Sequence, residues 1–238
     1  MAEGQLSYRL DSLCLERGGI RVLRSLSLEL KARLTYLVGA NGSGKTSLLK
    51  CLVRALPYSG HIYLGKKKLE AYSPKELARN VAVVPQHFSL SLPLRVLDFV
   101  LLGRFPYLSW MGTYQKEDIE YAKGSLETMG VYCFHQRYLN ELSGGELQKV
   151  CIAQALCQDT KVLLLDEPAQ SLDPKSKQSL YSILSKLANN GTLIVCTTHD
   201  MEPLRDSTVT VVGLRNGSMV YESTGGGRIV EELFTCVY

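Results

Sequence analysis

The chain has 238 residues, 45% hydrophobic and 21% charged, with a formal net charge of +4. That length buries a full core, as one large domain or two lobes, and the composition is that of an ordinary globular protein. A charge this mild does not call for nucleic acid, and no apolar run reaches the roughly 18 residues of a membrane span. The seven cysteines, at 14, 51, 133, 151, 157, 196 and 236, form no C-x-x-C pair, so neither a zinc knuckle nor a disulfide framework is indicated. Most sit among apolar neighbours, as small core residues of a reducing compartment do. The opening MAEGQLSYRL is not a basic-then-apolar leader. The chain is therefore expected to be cytosolic and to reach a membrane only through a partner.

Taken in order, residues 6–15 and 25–30 read as strands around a Gly18-Gly19 turn, with Leu26, Leu28 and Leu30 alternating with Ser25, Ser27 and Glu29. Leu34–Val38 reads as a short buried strand. It runs into Gly39-Ala40-Asn41-Gly42-Ser43-Gly44-Lys45-Thr46, and residues from Ser47 onward read as a helix. This strand–loop–helix context fits the phosphate-loop pattern G-x-x-x-x-G-K-[ST]. Glycines let the backbone wrap a phosphate closely, and successive N–H groups at a helix N-terminus face a negative ligand. Lys45 is placed to neutralise the outer phosphates, and Thr46 offers a hydroxyl to Mg²⁺.

Residues 60–64 read as another strand. Ser73-Pro74-Lys75-Glu76 fits a capping box with proline at the first helical position. Val81–Val84 is a compact strand that stops at Pro85-Gln86. From there to about 160 no stretch reads as a strand. Residues 96–104, 116–129 and 145–157 carry helical spacing, so the expected architecture is a core lobe (1–86 and 161–238) with an inserted helical lobe (87–160). Val162–Leu165 resumes the sheet with the fully apolar run of a central parallel strand. Asp173-Pro174 starts a helix that Asn190-Gly191 ends, and residues 193–196 form the next buried strand. Residues 209–214 and 218–223 flank Asn216-Gly217 as a hairpin. Gly225-Gly226-Gly227 breaks the chain before an expected helix over 228–238.

The apolar strand at 162–165 ends in Asp166-Glu167. Strand ends in such folds open onto the ligand crevice, so Asp166 is placed to hold Mg²⁺ and Glu167 to polarise the attacking water. Leu142-Ser143-Gly144-Gly145-Glu146 opens a helix. Ser143 fits a plain N-cap, and the glycines also leave a second bare helix end suited to phosphate. One chain has no use for two such ends on one nucleotide; two chains packed head to tail use both.

These residues resemble the nucleotide-binding subunit of an ATP-binding cassette (ABC) transporter over nearly the whole chain. The resemblance implies an α/β phosphate-loop core with an antiparallel β subdomain and an inserted helical subdomain. It also implies that Leu142 to Glu146 is the signature motif and that Gln86 touches Mg²⁺ and water between the lobes. In the same way Asp173, in Ser171-Leu172-Asp173, crosses a dimer interface, and His199 contacts the γ-phosphate. The family's adenine-stacking aromatic falls here near Arg17, whose guanidinium also stacks on flat bases, and Ala169 replaces a usual threonine. The implied activity is Mg²⁺-dependent ATP hydrolysis by a homodimer at the cytoplasmic face of a membrane, on permease subunits served by a substrate-binding protein. The segment 96–107 and the pairing of residues 138–143 with 155–160 resemble importers of iron chelates, haem and cobalamin. Exporters usually fuse their membrane span to the cassette. A transport subunit is expected to dock along 85–107, with Arg104 and Phe105 on its surface; Phe105, Tyr107 and Trp110 together read either as filling of the lobe's own core or as an exposed apolar groove for a coupling helix. Two readings remain beside this: a soluble ATPase of an assembly system such as iron–sulfur cluster biogenesis, and a cassette that binds ATP but barely hydrolyses it.

Overall fold

The structure, a computed structural model, describes residues 6–88, 93–109 and 112–224. The expected helix at 228–238, the glycine break at 225–227 and Trp110 lie outside them. Strands β1 (Tyr8–Arg17), β2 (Ile20–Leu30), β4 (Ser59–Leu64) and β5 (Lys67–Lys68) form an antiparallel sheet in the order β2-β1-β4-β5. Gly18 and Gly19 take positive φ of 57° and 77° in the β1–β2 turn, as a two-residue hairpin between right-twisted strands requires. β2 starts earlier than alternation alone indicates, because residues 20–24 pair across the hairpin with the end of β1.

The second sheet has the order β10-β9-β3-β8-β7-β6, from β3 (Leu34–Val38), β6 (Val81–Val84), β7 (Val162–Leu165), β8 (Leu193–Thr197), β9 (Thr210–Arg215) and β10 (Ser218–Thr224). It is parallel except for the β9–β10 hairpin. Its central strands are apolar on both faces because both are covered. Leu163 and Leu165 of β7 join one core with Ile194 and Cys196 of β8. Val162 and Leu164 join the other with Leu193 and Val195. The first core is shared with the helices, the second with α1 (Lys45–Leu52) and the antiparallel sheet.

Helix α2 (Pro74–Asn80) starts at the Ser73–Glu76 capping box. Between β6 and β7 lie α3 (Val96–Leu101), α4 (Lys116–Thr128) and α5 (Gly144–Cys157), which pack on one another through Val96, Val100, Ala122, Leu126 and Ile152. The helical pattern at 96–104 breaks into a 3₁₀ segment over Leu102–Tyr107. Pro106 has no N–H to continue an α-helix, and Gly103 lies so close to the Gln154 carbonyl that a side chain has no room. Helix α6 (Pro174–Asn189) covers β3 and β8.

One expectation is corrected here. Arg104 does not face outward: it is only 8% exposed. Its Nε donates to Asp118 Oδ1 at 2.9 Å, its Nη1 donates to the Cys157 carbonyl, and its guanidinium lies 4.0 Å and 4.2 Å from the ring centres of Tyr107 and Tyr121. A planar, weakly hydrated cation between two rings and a carboxylate is an internal clamp of the lobe. Tyr107 turns inward too, its hydroxyl donating to the Gln158 carbonyl at 2.9 Å. Phe105, at 69% exposure, remains on the surface.

Candidate active site

Parallel strands β3, β7 and β8 all end at one edge of the sheet, and the chain leaves each through residues that meet there. After β3 the loop reaches Gly44, the N-cap of α1, at φ 106°. An L side chain rarely adopts that conformation, and a Cβ there would sit 2.9 Å from Leu23 Cδ2. No side chain caps α1, so its first N–H groups are left for a ligand. A cavity of 320 Å³ opens above the loop, lined by Val22, residues 41–47, Gln86 and Glu167.

Two features of this cavity fit a polyphosphate. The Ser43 hydroxyl is buried and has no hydrogen-bond partner among the described residues, which is costly unless a ligand supplies one. Lys45 is 5% exposed, and its Nζ donates to the Gly39 carbonyl at 2.7 Å and the Ala40 carbonyl at 3.3 Å. Burial lowers its pKa, against the nearby Glu167 and Asp166 carboxylates, which raise it. An ammonium so placed gains from an anion at its third donor position.

After β7, Asp166 is 4% exposed and its Oδ1 accepts from Thr197 Oγ1 at 2.8 Å. The same Thr197 oxygen accepts from the Glu167 N–H at 2.7 Å. Glu167 sits at φ 49°, the left-handed region uncommon for any residue but glycine. Its carboxylate is held from two sides: Gln86 Nε2 donates to Oε2 at 3.0 Å, and His199 Nε2 lies 3.0 Å from Oε1. Gln86 also donates to Gln170 Oε1 at 3.3 Å. Thr197 and Gln170 escaped the reading of the sequence. Thr197 had a signal, a hydroxyl ending an otherwise apolar strand just before His199; Gln170 had none.

Thr46, Gln86 and Asp166 offer hard oxygen donors of the type Mg²⁺ takes, and Thr46 lies on the cavity wall with Gln86. Ser143, Gly144, Gly145 and Asp173 do not line this cavity. Ser143 is exposed and N-caps α5 in a capping box with Glu146. Asp173 is exposed and N-caps α6, its Oδ1 accepting from the Ser176 N–H. Gly145 approaches the Ser171 carbonyl so closely that a Cβ would stand 3.1 Å from it. The glycine turn and the 171–173 loop therefore form a second face, apart from the phosphate-loop cavity. Arg17 ends β1, exposed. Tyr8, earlier on the same strand, is buried and donates to the Leu52 carbonyl at 2.9 Å.

The family model described as ABC transporter matches residues 23–170. The chain belongs to the ABC transporter family. This cassette is 34% identical over 236 residues to the phosphonates import ATP-binding protein PhnC of Bordetella parapertussis, covering 93% of the chain and 92% of the relative. It is 33% identical over 223 residues to the iron(3+)-hydroxamate import ATP-binding protein FhuC of Bacillus subtilis, covering 90% and 83%. To the petrobactin import ATP-binding protein YclP of the same organism it is 34% identical over 208 residues, covering 86% and 82%. Among solved structures, the dimeric ATP-binding cassette MJ0796 in a post-hydrolysis state with ADP and Pi superposes with a TM-score of 0.81 at 26% identity, covering 92% of this chain and 99% of that one. A metal-chelate type ABC transporter in an inward-facing conformation shares the fold, with a TM-score of 0.76 at 24% identity over 92% and 83% of the chains. The cassette binds ATP and hydrolyses it to drive transport, and no helix among the described residues is long and apolar enough to cross a membrane.

Proposed function

We propose that this cassette powers uptake of an iron-bearing chelate of the siderophore, haem or cobalamin type. In this reading it works as a homodimer seated on permease subunits at the cytoplasmic face of the membrane and fed by a substrate-binding protein. The observation that carries the dimer is the split site. The phosphate-loop cavity and the Ser143–Asp173 face lie on separate surfaces of one chain, so each nucleotide is completed by a second copy. ATP then bridges residues 39–47 of one copy and Ser143, Gly144 and Gly145 of the other, with Asp173 crossing the seam. Charge cancellation by the triphosphate draws the two surfaces together, and hydrolysis releases them.

In each half, Ser43 and Lys45 bind the phosphates with the N–H groups of the loop. Glu167 takes a proton from the attacking water, oriented by Gln86. His199 moves from Glu167 to the γ-phosphate. Thr46, Asp166 and Gln86 would hold Mg²⁺, which when bound offsets the phosphate charge.

The membrane partner docks at the seam between the lobes. Arg79 Nε donates to the Pro106 carbonyl at 3.0 Å and Lys75 Nζ to the Leu108 carbonyl at 2.6 Å. A 610 Å³ groove lies there, lined by Pro74, Ala78 and the exposed Phe105 among others. An amphipathic helix of a permease fits such an apolar groove. The importer relatives named for iron(3+)-hydroxamate and petrobactin support the cargo; the phosphonate importer is the competing reading. Uptake by the reconstituted transporter separates them: iron-hydroxamate accumulation supports the proposal, and phosphonate accumulation alone overturns it. Copurification with membrane subunits separates it from a soluble assembly ATPase, which would bring down scaffold proteins instead.

A further inference from the structure

Past β8 the chain carries Thr198, His199 and Asp200 out of the sheet. His199 is exposed, and its ring meets the Glu167 carboxylate. Its neighbour Asp200 is tied down on both oxygens by α6. Lys177 Nζ lies 2.9 Å from Oδ1, and the Tyr181 hydroxyl donates to Oδ2 at 2.7 Å. The Asp200 N–H donates to Thr198 Oγ1 at 3.0 Å, and that oxygen lies 3.3 Å from the Tyr181 hydroxyl. Lys177 and Tyr181 stand four residues apart, one turn of the helix, so both address the same point. Tyr181 is itself fixed: it is buried, and its ring meets Tyr36 of β3 edge-on, centroids 6.2 Å apart at 77°. β3 is the strand that delivers the phosphate loop.

We propose that Lys177 and Tyr181 are positioning residues for ATP hydrolysis: by holding both oxygens of Asp200 they fix the loop that presents His199 at the catalytic edge of the sheet, beside Glu167 and within reach of the γ-phosphate. The inference rests on the role given to His199 under Proposed function. Burial works against charge on Asp200, yet the Tyr181 and Lys177 contacts hold its carboxyl below the ordinary carboxylate value, so the anchor is a charged one. The ion pair is part-exposed and therefore weak as a source of stability. Its consequence is geometric, since misplacing a reacting group by about 1 Å costs up to ~10²-fold in rate.

The test compares steady-state ATP hydrolysis by the full chain carrying Tyr181→Phe, Lys177→Met or Lys177→Arg, each alone and combined with His199→Ala. Tyr181→Phe keeps the ring that packs on Tyr36. The expected result for Tyr181→Phe and Lys177→Met is an about tenfold fall in kcat with KM for ATP within about twofold, and recovery in Lys177→Arg. In the His199→Ala background the same substitutions cause no further loss, because they act through one residue. Unchanged kcat in both variants, or losses that multiply with that of His199→Ala, overturns the proposal. A normal rate in His199→Ala removes the role of His199 and this inference with it. A slow His199→Ala beside a fast Tyr181→Phe and Lys177→Met removes the inference alone.

Discussion

His199 Nε2 lies 3.0 Å from Oε1 of Glu167, while the other carboxylate oxygen takes the Gln86 amide. Each oxygen has one partner here and keeps a further lone pair for a water. A γ-phosphate that draws His199 away frees Oε1 where the water would stand. Glu167→Gln should therefore lower kcat by roughly 10²–10⁴-fold, the usual contribution of a general base, while ATP binding survives and the nucleotide-bound dimer accumulates. Single-turnover hydrolysis with size-exclusion chromatography in ATP checks this; wild-type rates would remove Glu167 from the role.

Ser43 offers a sharper test of the phosphate cradle. Its hydroxyl is buried with no partner among the described residues, and such a group costs about 1–3 kcal/mol. Ser43→Ala should leave the thermal midpoint of the nucleotide-free protein unchanged or raised and weaken ATP binding. A fall in both would mean that the hydroxyl serves the fold instead.

The buried pair of Arg104 and Asp118 predicts a pH dependence. The Gln115 N–H, followed by the Arg104 contact, holds the Asp118 carboxyl below its ordinary value, outweighing burial. A depressed folded-state pKa contributes stability that is present above the unfolded carboxylate value, about 4, and is lost as pH falls through the folded one. Thermal midpoints between pH 7 and 3 should fall more steeply for wild type than for Asp118→Asn. Arg104→Ala should cost about 3–5 kcal/mol, because it strands a buried charge, and its loss of activity should follow loss of fold rather than of docking.

Phe105 carries the docking prediction instead. It is exposed, so Phe105→Asp should shift stability by no more than ~0.5 kcal/mol and leave basal ATP hydrolysis intact. Assembly with the permease and uptake should fail. Intact assembly and uptake would place the docking surface elsewhere.

Much of this architecture was legible from local chemistry. Apolar strands of four or five residues, the glycine loop into Lys45, the Ser73–Glu76 cap and the Asn216-Gly217 turn are each set by neighbours a few residues apart, and the chain's alternations and caps state them directly. The order of Lys45, Gln86, Ser143, Asp166, Glu167, Asp173 and His199 was enough to identify the family. Only the tertiary structure decided which of them share a cavity, because parallel strands bring together residues far apart in sequence. Gln86 meets Glu167, and Thr197 joins Asp166 to Glu167, across separations that no periodicity encodes. It likewise decided the fate of Arg104. A charged residue beside aromatics reads as surface, and here the neighbouring Tyr107 ring is joined by the Tyr121 ring, the Asp118 carboxylate and the Cys157 carbonyl from other segments. Burial of a charge depends on partners the fold assembles, and those are visible only once the chain has closed on itself.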